Sequence, residues 1–274
     1  MKKFIFAIAL SLLVAGCTRE DMAPSKITVP LAVTLSDATK AVSDGASVND
    51  LYICVYDAQE NLVQKTKVSR TGTGAFSASL SLVRGESYTA AFWAQSSSSA
   101  VYSVTGGDVR TVAADYSSAV ASTESEDAFA GKTVFTASEV SPVNATLTRA
   151  VVMLDFRSTT EPVYSEPCED PHVFTSSVTV SGGAATSYNA LTGTASGLAE
   201  EAVFGFKVIP GDVLPSTSEA SLYRAAYAYV LPGAESAAKV TVTVRRDGAY
   251  WRECSGEDVP LTENFRTNLT GSML

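Results

Sequence analysis

A chain of 274 residues is long enough for two ordinary domains or one large β-domain. Its formal charge of −9, set by 29 acids against 20 lysines and arginines, comes without a basic stripe. That excludes nucleic acid as a natural partner and charge-driven adhesion to anionic lipid. Charged residues make up only 18% of the chain while Ser, Thr, Ala, Val and Gly abound, a bias that suits exposed faces of β-sheets better than helical surfaces.

The chain opens with a positive pair, Lys2-Lys3, then an apolar run from Phe4 to Val14, then Val14-Ala15-Gly16-Cys17. This order of charge, apolar stretch and small residues reads as a secretion signal. The run is too short to cross a bilayer, which takes roughly 20 residues of helix. Val14-Ala15-Gly16-Cys17 resembles the bacterial lipobox, which implies cleavage between Gly16 and Cys17 and acylation of Cys17 by palmitate-type chains. Residues 1–16 are thus expected to be a lipoprotein signal peptide. Residues 17–25, polar and turn-rich, are expected to form a lipidated tether.

Ile27 to Leu35 carries Ile27, Val29, Leu31, Val33 and Leu35 at period two, the pattern of a half-buried strand. Pro30, on the other parity, confines it to a sheet edge or to pairing along one side. Ser36 to Asn49 reads as a loop. Asp50–Asp57 and Leu62–Val68 form a hairpin by composition and spacing. Ala75–Val83 and Ser87–Gln95 follow across turns at Gly72 to Gly74 and Arg84 to Glu86. Such closely spaced strands argue a sandwich or barrel.

From Ser96 to Ser141 the pattern weakens. Val109–Tyr116 fits a strand or a short helix. Thr123 and Glu126 stand at capping-box spacing, which predicts one helical turn ending at Gly131, with Lys132–Ala137 extended beyond it. Pro142–Arg157 reads as one long strand opening a second β-domain. Phe174–Val180, Ala202–Pro210, Leu222–Leu231 and Lys239–Arg246 are further strands, punctuated by glycine and proline pairs. The expected organisation is all-β: an N-terminal sandwich over 26–141, a C-terminal sandwich over 142–274, and a short helical turn.

Reactive groups are sparse. His172 is the single histidine, without a Gly-x-Ser-x-Gly elbow, and reads as a loop residue. Glu124, Glu126 and Asp127, and the pair Glu169 and Asp170, lack calcium-loop spacing and read as solvated charge. Gly106-Gly107 and Gly182-Gly183 read as turns. Tyr88, Phe92, Trp93, Tyr223, Tyr227 and Tyr229 suit either a sugar-stacking platform or, more in keeping with strands, core and cross-strand pairs. With Cys17 lipidated, three cysteines remain: Cys168 and Cys254 sit in loop-like contexts where a bridge could form, and Cys54 sits in an apolar strand. No catalytic, metal or cofactor site is expected.

The C-terminal stretch Asn264-Phe265-Arg266-Thr267-Asn268 leading to Gly271 and the final Met273-Leu274 resembles that of the fimbrillin-type lipoproteins of Bacteroidetes. Lys40 to Gly45, Leu51 to Asp57, Asp127-Ala128-Phe129-Ala130-Gly131 and Leu147 to Val152 add to the resemblance in the right order. It implies two tandem transthyretin-like β-sandwich domains and a subunit, or accessory or anchor component, of a type V fimbria at the outer membrane. It also implies assembly by strand exchange with other pilus subunits, with no enzymatic activity. Ile27–Leu35 would be the strand removed by a protease, Lys40-Ala41 the bond cut, and Phe265, Thr267, Leu269 and Leu274 part of a donated or docked strand. Shaft subunits of that family usually present arginine at the cleavage loop, and here the first basic residue after Leu35 is Lys40. The alternative is a non-polymerising surface adhesin binding a host or glycan receptor.

Overall fold

A computed structural model describes residues 25–36, 45–161, 172–209, 213–214, 221–235 and 237–274. The signal peptide, Gly16, Cys17, most of the tether, Lys40, Ala41, Cys168, Glu169 and Asp170 lie outside these residues. So does the Cys168–Cys254 pairing.

Nineteen strands occur among the described residues. In the first half these are β1 (Lys26–Leu35), β2 (Asp50–Tyr56), β3 (Leu62–Ser69), β4 (Phe76–Val83), β5 (Ser87–Gln95), β6 (Tyr102–Val104), β7 (Val112–Ala114), β8 (Ala128–Thr136) and β9 (Val143–Arg149). The second half holds β10 (Val152–Ser158), β11 (Phe174–Ser181), β12 (Ala185–Asn189), β13 (Thr194–Leu198), β14 (Glu201–Val208), β15 (Val213–Leu214), β16 (Leu222–Val230), β17 (Ala237–Arg246), β18 (Ala249–Pro260) and β19 (Arg266–Gly271). The all-β fold holds.

One seven-stranded sheet runs β3-β2-β5-β8-β9-β1-β4 and encloses its own apolar core of β1, β2, β4, β5 and β9 side chains. Two four-stranded sheets, β15-β16-β10-β19 and β14-β11-β17-β18, contribute side chains to a second core. A small sheet, β13-β12-β7-β6, pairs strands from both halves of the chain, with Tyr188 opposite Val112.

The single strand expected over Pro142–Arg157 is two strands. β9 pairs with β1 and β8, and β10 pairs with β16 and β19. The chain crosses between sheets at Ala150 and Val151, both fully buried, so no glycine, proline or exposed residue marks the break. The expected helical turn shrinks to the 3-10 turn Glu124–Glu126, and β8 begins at Ala128. Thr123 makes no capping bond; its hydroxyl contacts Ser125 Oγ at 3.4 Å, and the Glu126 carboxylate accepts from Ser99 Oγ (2.6 Å) and the Ala100 and Val101 amides.

Trp93 joins the two halves. Its ring is fully buried and meets Tyr102 at 5.5 Å and Tyr188 at 5.4 Å. Its Nε1 donates to Gln95 Oε1 at 2.8 Å, and Gln95 Nε2 donates onward to the Tyr102 carbonyl. Trp93→Ala removes packing from β5, β6 and β12 at once and leaves the Gln95 amide oxygen unpaired. The expected cost is about 3–5 kcal/mol, read as a lower midpoint in urea unfolding.

Candidate assembly site

β1 lies between two partners. It runs antiparallel to β4 from Lys26 opposite Val83 to Val33 opposite Phe76. It runs parallel to β9 from Leu31 opposite Val143 to Leu35 opposite Leu147. Pairing to β9 starts one residue after Pro30, so the missing N–H falls where β4 alone is alongside, as one-sided pairing requires. Ile27, Val29, Leu31 and Val33 point into the core at 5% exposure or less. At about 1.5–3 kcal/mol per buried aliphatic side chain, that stripe contributes about 6–12 kcal/mol as an upper estimate.

Both ends of β1 are tied. The Arg84 amide donates to the Ser25 carbonyl (3.2 Å) and the Ser36 amide to the Leu147 carbonyl (2.8 Å). Beyond the stretch holding Lys40 and Ala41, Gly45 returns to the core with φ of 75°, where a Cβ would stand 2.9 Å from Leu35 Cδ1 and 3.2 Å from the Phe129 ring. A glycine is required there both for the left-handed backbone and for the approach.

The residues expected to form a donated or docked strand are docked in their own chain. β19 runs parallel to β10, with Thr267 opposite Leu154 and Leu269 opposite Phe156. Thr267 Oγ1 donates to the Pro260 carbonyl, and the amides of Met273 and Leu274 donate to Ser158 Oγ. Leu274 is buried, while Phe265 precedes the strand at 62% exposure.

Asp155 lies within the apolar run of β10. It is fully buried and accepts from Arg157 Nε (2.9 Å), Arg224 Nε (3.0 Å) and Arg266 Nε (3.1 Å), with a further contact from Arg266 Nη2. Burial raises its pKa, but the guanidiniums, Arg266 and Arg224 foremost, outweigh burial and hold the carboxyl below its usual range. An acid inside an apolar strand with an arginine two residues on was the available signal.

The acids expected as solvated charge are largely interior. Asp127 and Glu126 are buried, and Arg149 reaches Asp127 with Nε at 2.7 Å and Nη2 at 3.0 Å while stacking on Phe129 at 4.9 Å. Glu124 Oε2 accepts from Tyr229 OH at 2.8 Å. Burial pushes Asp127 up to about 6 against the pull of Arg149. Tyr227 and Tyr229 are buried, as are Tyr88, Phe92 and Trp93, which makes them core and not platform. His172 Nδ1 donates to Asp247 Oδ2 at 2.7 Å, and its Nε2 contacts Arg246 Nη2. Cys54 is buried, and Cys254 lies on β18, not in a loop.

The profile of a family of unknown function (DUF6562) matches residues 23–274. No curated protein sequence matches the chain. Among solved structures it is similar to a fimbrial assembly protein from Parabacteroides distasonis, at 13% identity and TM-score 0.50, with 90% of this chain and 91% of that one covered. It is also similar to a candidate adhesin from Bacteroides ovatus, at 14% identity and TM-score 0.47, with 89% of each chain covered. The fimbrial anchor protein Mfa2 from Porphyromonas gingivalis aligns at 13% identity and TM-score 0.44, over 89% of this chain and 91% of that one. The first of these carries the likeness of fold, which is that of fimbrillin-type β-sandwich proteins.

Proposed function

The chain belongs to the DUF6562 family of unknown function, and we propose that it is a structural, non-enzymatic component of a type V fimbria. It is exported as an outer-membrane lipoprotein through Cys17 and assembled with other pilus subunits by strand exchange. One observation supports this reading above the rest: β1 is a strand with a strict apolar stripe, seated between β4 and β9. It is followed at once by the stretch that holds Lys40. Cutting there and releasing β1 would leave two unpaired edges above an apolar core, the arrangement an incoming strand fills by β-augmentation. We place the boundary between the two sandwiches after β9, at Ala150, in keeping with its pairing to β1 and β8.

The test is made on surface material sheared from cells expressing the chain. Ladders of multimers that survive warm detergent and collapse on boiling are expected, with an N-terminus at Ala41. Radiolabelled palmitate should enter the precursor and fail to enter Cys17→Ala. Acylated Cys17 in the assembled form would reject cleavage at Lys40, and a monomer alone in warm detergent would favour a non-polymerising adhesin.

A further inference from the structure

We propose that the outer face of the β14-β11-β17-β18 sheet binds an acidic saccharide, with a sugar carboxylate on Arg245 and a pyranose ring against Tyr250. The proposal is independent of strand exchange, since it uses neither β1 nor the fimbrial sheet that holds it.

The alternation along these strands divides the sheet cleanly. Val178, Val180, Val240, Val242 and Val244 face the core. Thr175, Arg245, Tyr250 and Val208 are direct cross-strand partners and therefore share the opposite face. Exposed apolar side chains gather at this end: Tyr250 is 68% exposed, Val208 61% and Phe206 38%. Together they offer an apolar contact at one end of the face against which a sugar ring can lie.

Arg245 gives the cluster its selectivity. Its guanidinium lies over the Phe206 ring at 4.0 Å, a contact that holds the cation at the surface of the cluster. Among the described residues the adjacent Arg246 is engaged with Asp247 at 4.0 Å and Lys239, at the far end of β17, with Glu257 at 2.9 Å, while Arg245 has no carboxylate within ion-pair distance. A planar, unpaired guanidinium flanked by exposed rings matches a carboxylate bidentately. Further along the same face Thr241 Oγ1 and Ser255 Oγ lie 2.9 Å apart, and Thr243 Oγ1 bonds Glu253 at 3.4 Å. These hydroxyls, with the Glu253 and Glu201 carboxylates beside Thr243 and Ser181, can exchange hydrogen bonds with sugar hydroxyls and confine the site for a sugar carboxylate to the Arg245 end of the face, whereas a protein hot spot would call for a denser apolar centre. The chain's −9 charge repels a polyanion at long range, so attachment depends on this local cation and its removal is decisive.

Affinity electrophoresis of the purified full-length chain through gels containing polygalacturonate or hyaluronate tests this, with methyl-esterified polygalacturonate as the uncharged control. Retardation by either polyacid and none by the ester is expected. Apparent affinity should fall about tenfold in Arg245→Gln and in Tyr250→Ala, and the melting temperatures should stay unchanged because both side chains are on the surface. No retardation by either polyacid, retardation of Arg245→Gln equal to that of the parent, or equal retardation by the ester would overturn the proposal. So would a Tyr250-dependent dimer in sedimentation velocity without retardation, which would make the face a docking surface for a second copy.

Discussion

Asp155→Ala is expected to lose about 3–5 kcal/mol of unfolding free energy, because it strands three arginines around a buried site that no longer holds a charge. The carboxylate touches arginines from β10 itself, from the start of β16 and from the first residue of β19, so its loss loosens all three strands. Urea unfolding of the variant should show the lower midpoint, and limited proteolysis should cut first at the C-terminal strand. Asp155→Asn keeps the shape and separates charge from packing through its pH dependence. The folded pKa of Asp155 is depressed, so its contribution is complete above its ordinary value of about 3.9 and is lost as pH falls through the folded value. Asp127 runs the other way. Its folded pKa is raised to about 6, so the native state binds the proton first and stability rises as pH falls from about 6 towards about 4. Compared with the parent, Asp127→Asn should therefore differ in pH dependence between about 6 and about 4, and Asp155→Asn only below about 4 and in the opposite sense. Matching profiles for the two variants would reject the assignment.

The strands with one buried face were legible in the sequence. β1, β4 and β17 alternate apolar with polar over eight residues or more, and nothing but a sheet satisfies that period. Where both faces are covered the signal fails. β10 is covered on both faces, β9 before it alternates up to Arg149, and the buried Ala150 and Val151 between them carry no turn residue, so the change of sheet leaves no mark and the run reads as one strand. β18 escaped because its register shifts twice against β17, between Ala238 and Val240 and between Val244 and Arg245, which breaks the alternation. The small sheet of β6, β7, β12 and β13 consists of strands three to five residues long, shorter than any periodicity window can register.

Of the candidate assembly site, the strand and its core-facing residues were readable, since parity alone assigns them. Its position between β4 and β9 was not, because a parallel pairing between residues more than a hundred apart leaves no local trace. The buried charges were hidden for a different reason. Glu124, Glu126 and Asp127 look like a solvated cluster until Arg149, Tyr229 and the backbone at Ala100 and Val101 are brought to them by the fold. Each of those partners comes from another element.

Val29→Asp is expected to abolish folding of the N-terminal sandwich, whereas Thr28→Asp should stay within about 0.5 kcal/mol of the parent. Val29 is fully buried against the first core, and Thr28 one residue away faces solvent. A carboxylate at position 29 would have to be buried without a partner, which costs more than the domain's net stability of about 5–15 kcal/mol can reliably bear together with the lost aliphatic contact. The same parity governs replacement of the strand. A chain starting at Ala41 should lose its cooperative transition and bind a dye for exposed apolar surface. A peptide of residues 26–35 added during refolding should restore the transition, and the Val29→Asp peptide should not. The peptide recovers both ladders, to β4 and to β9, only if its apolar residues fall on the inward parity, since a one-residue slip sends every one of them outward. A chain starting at Ala41 that melts like the parent without any peptide would show that β1 is dispensable, and strand exchange through its seat would then have no driving force.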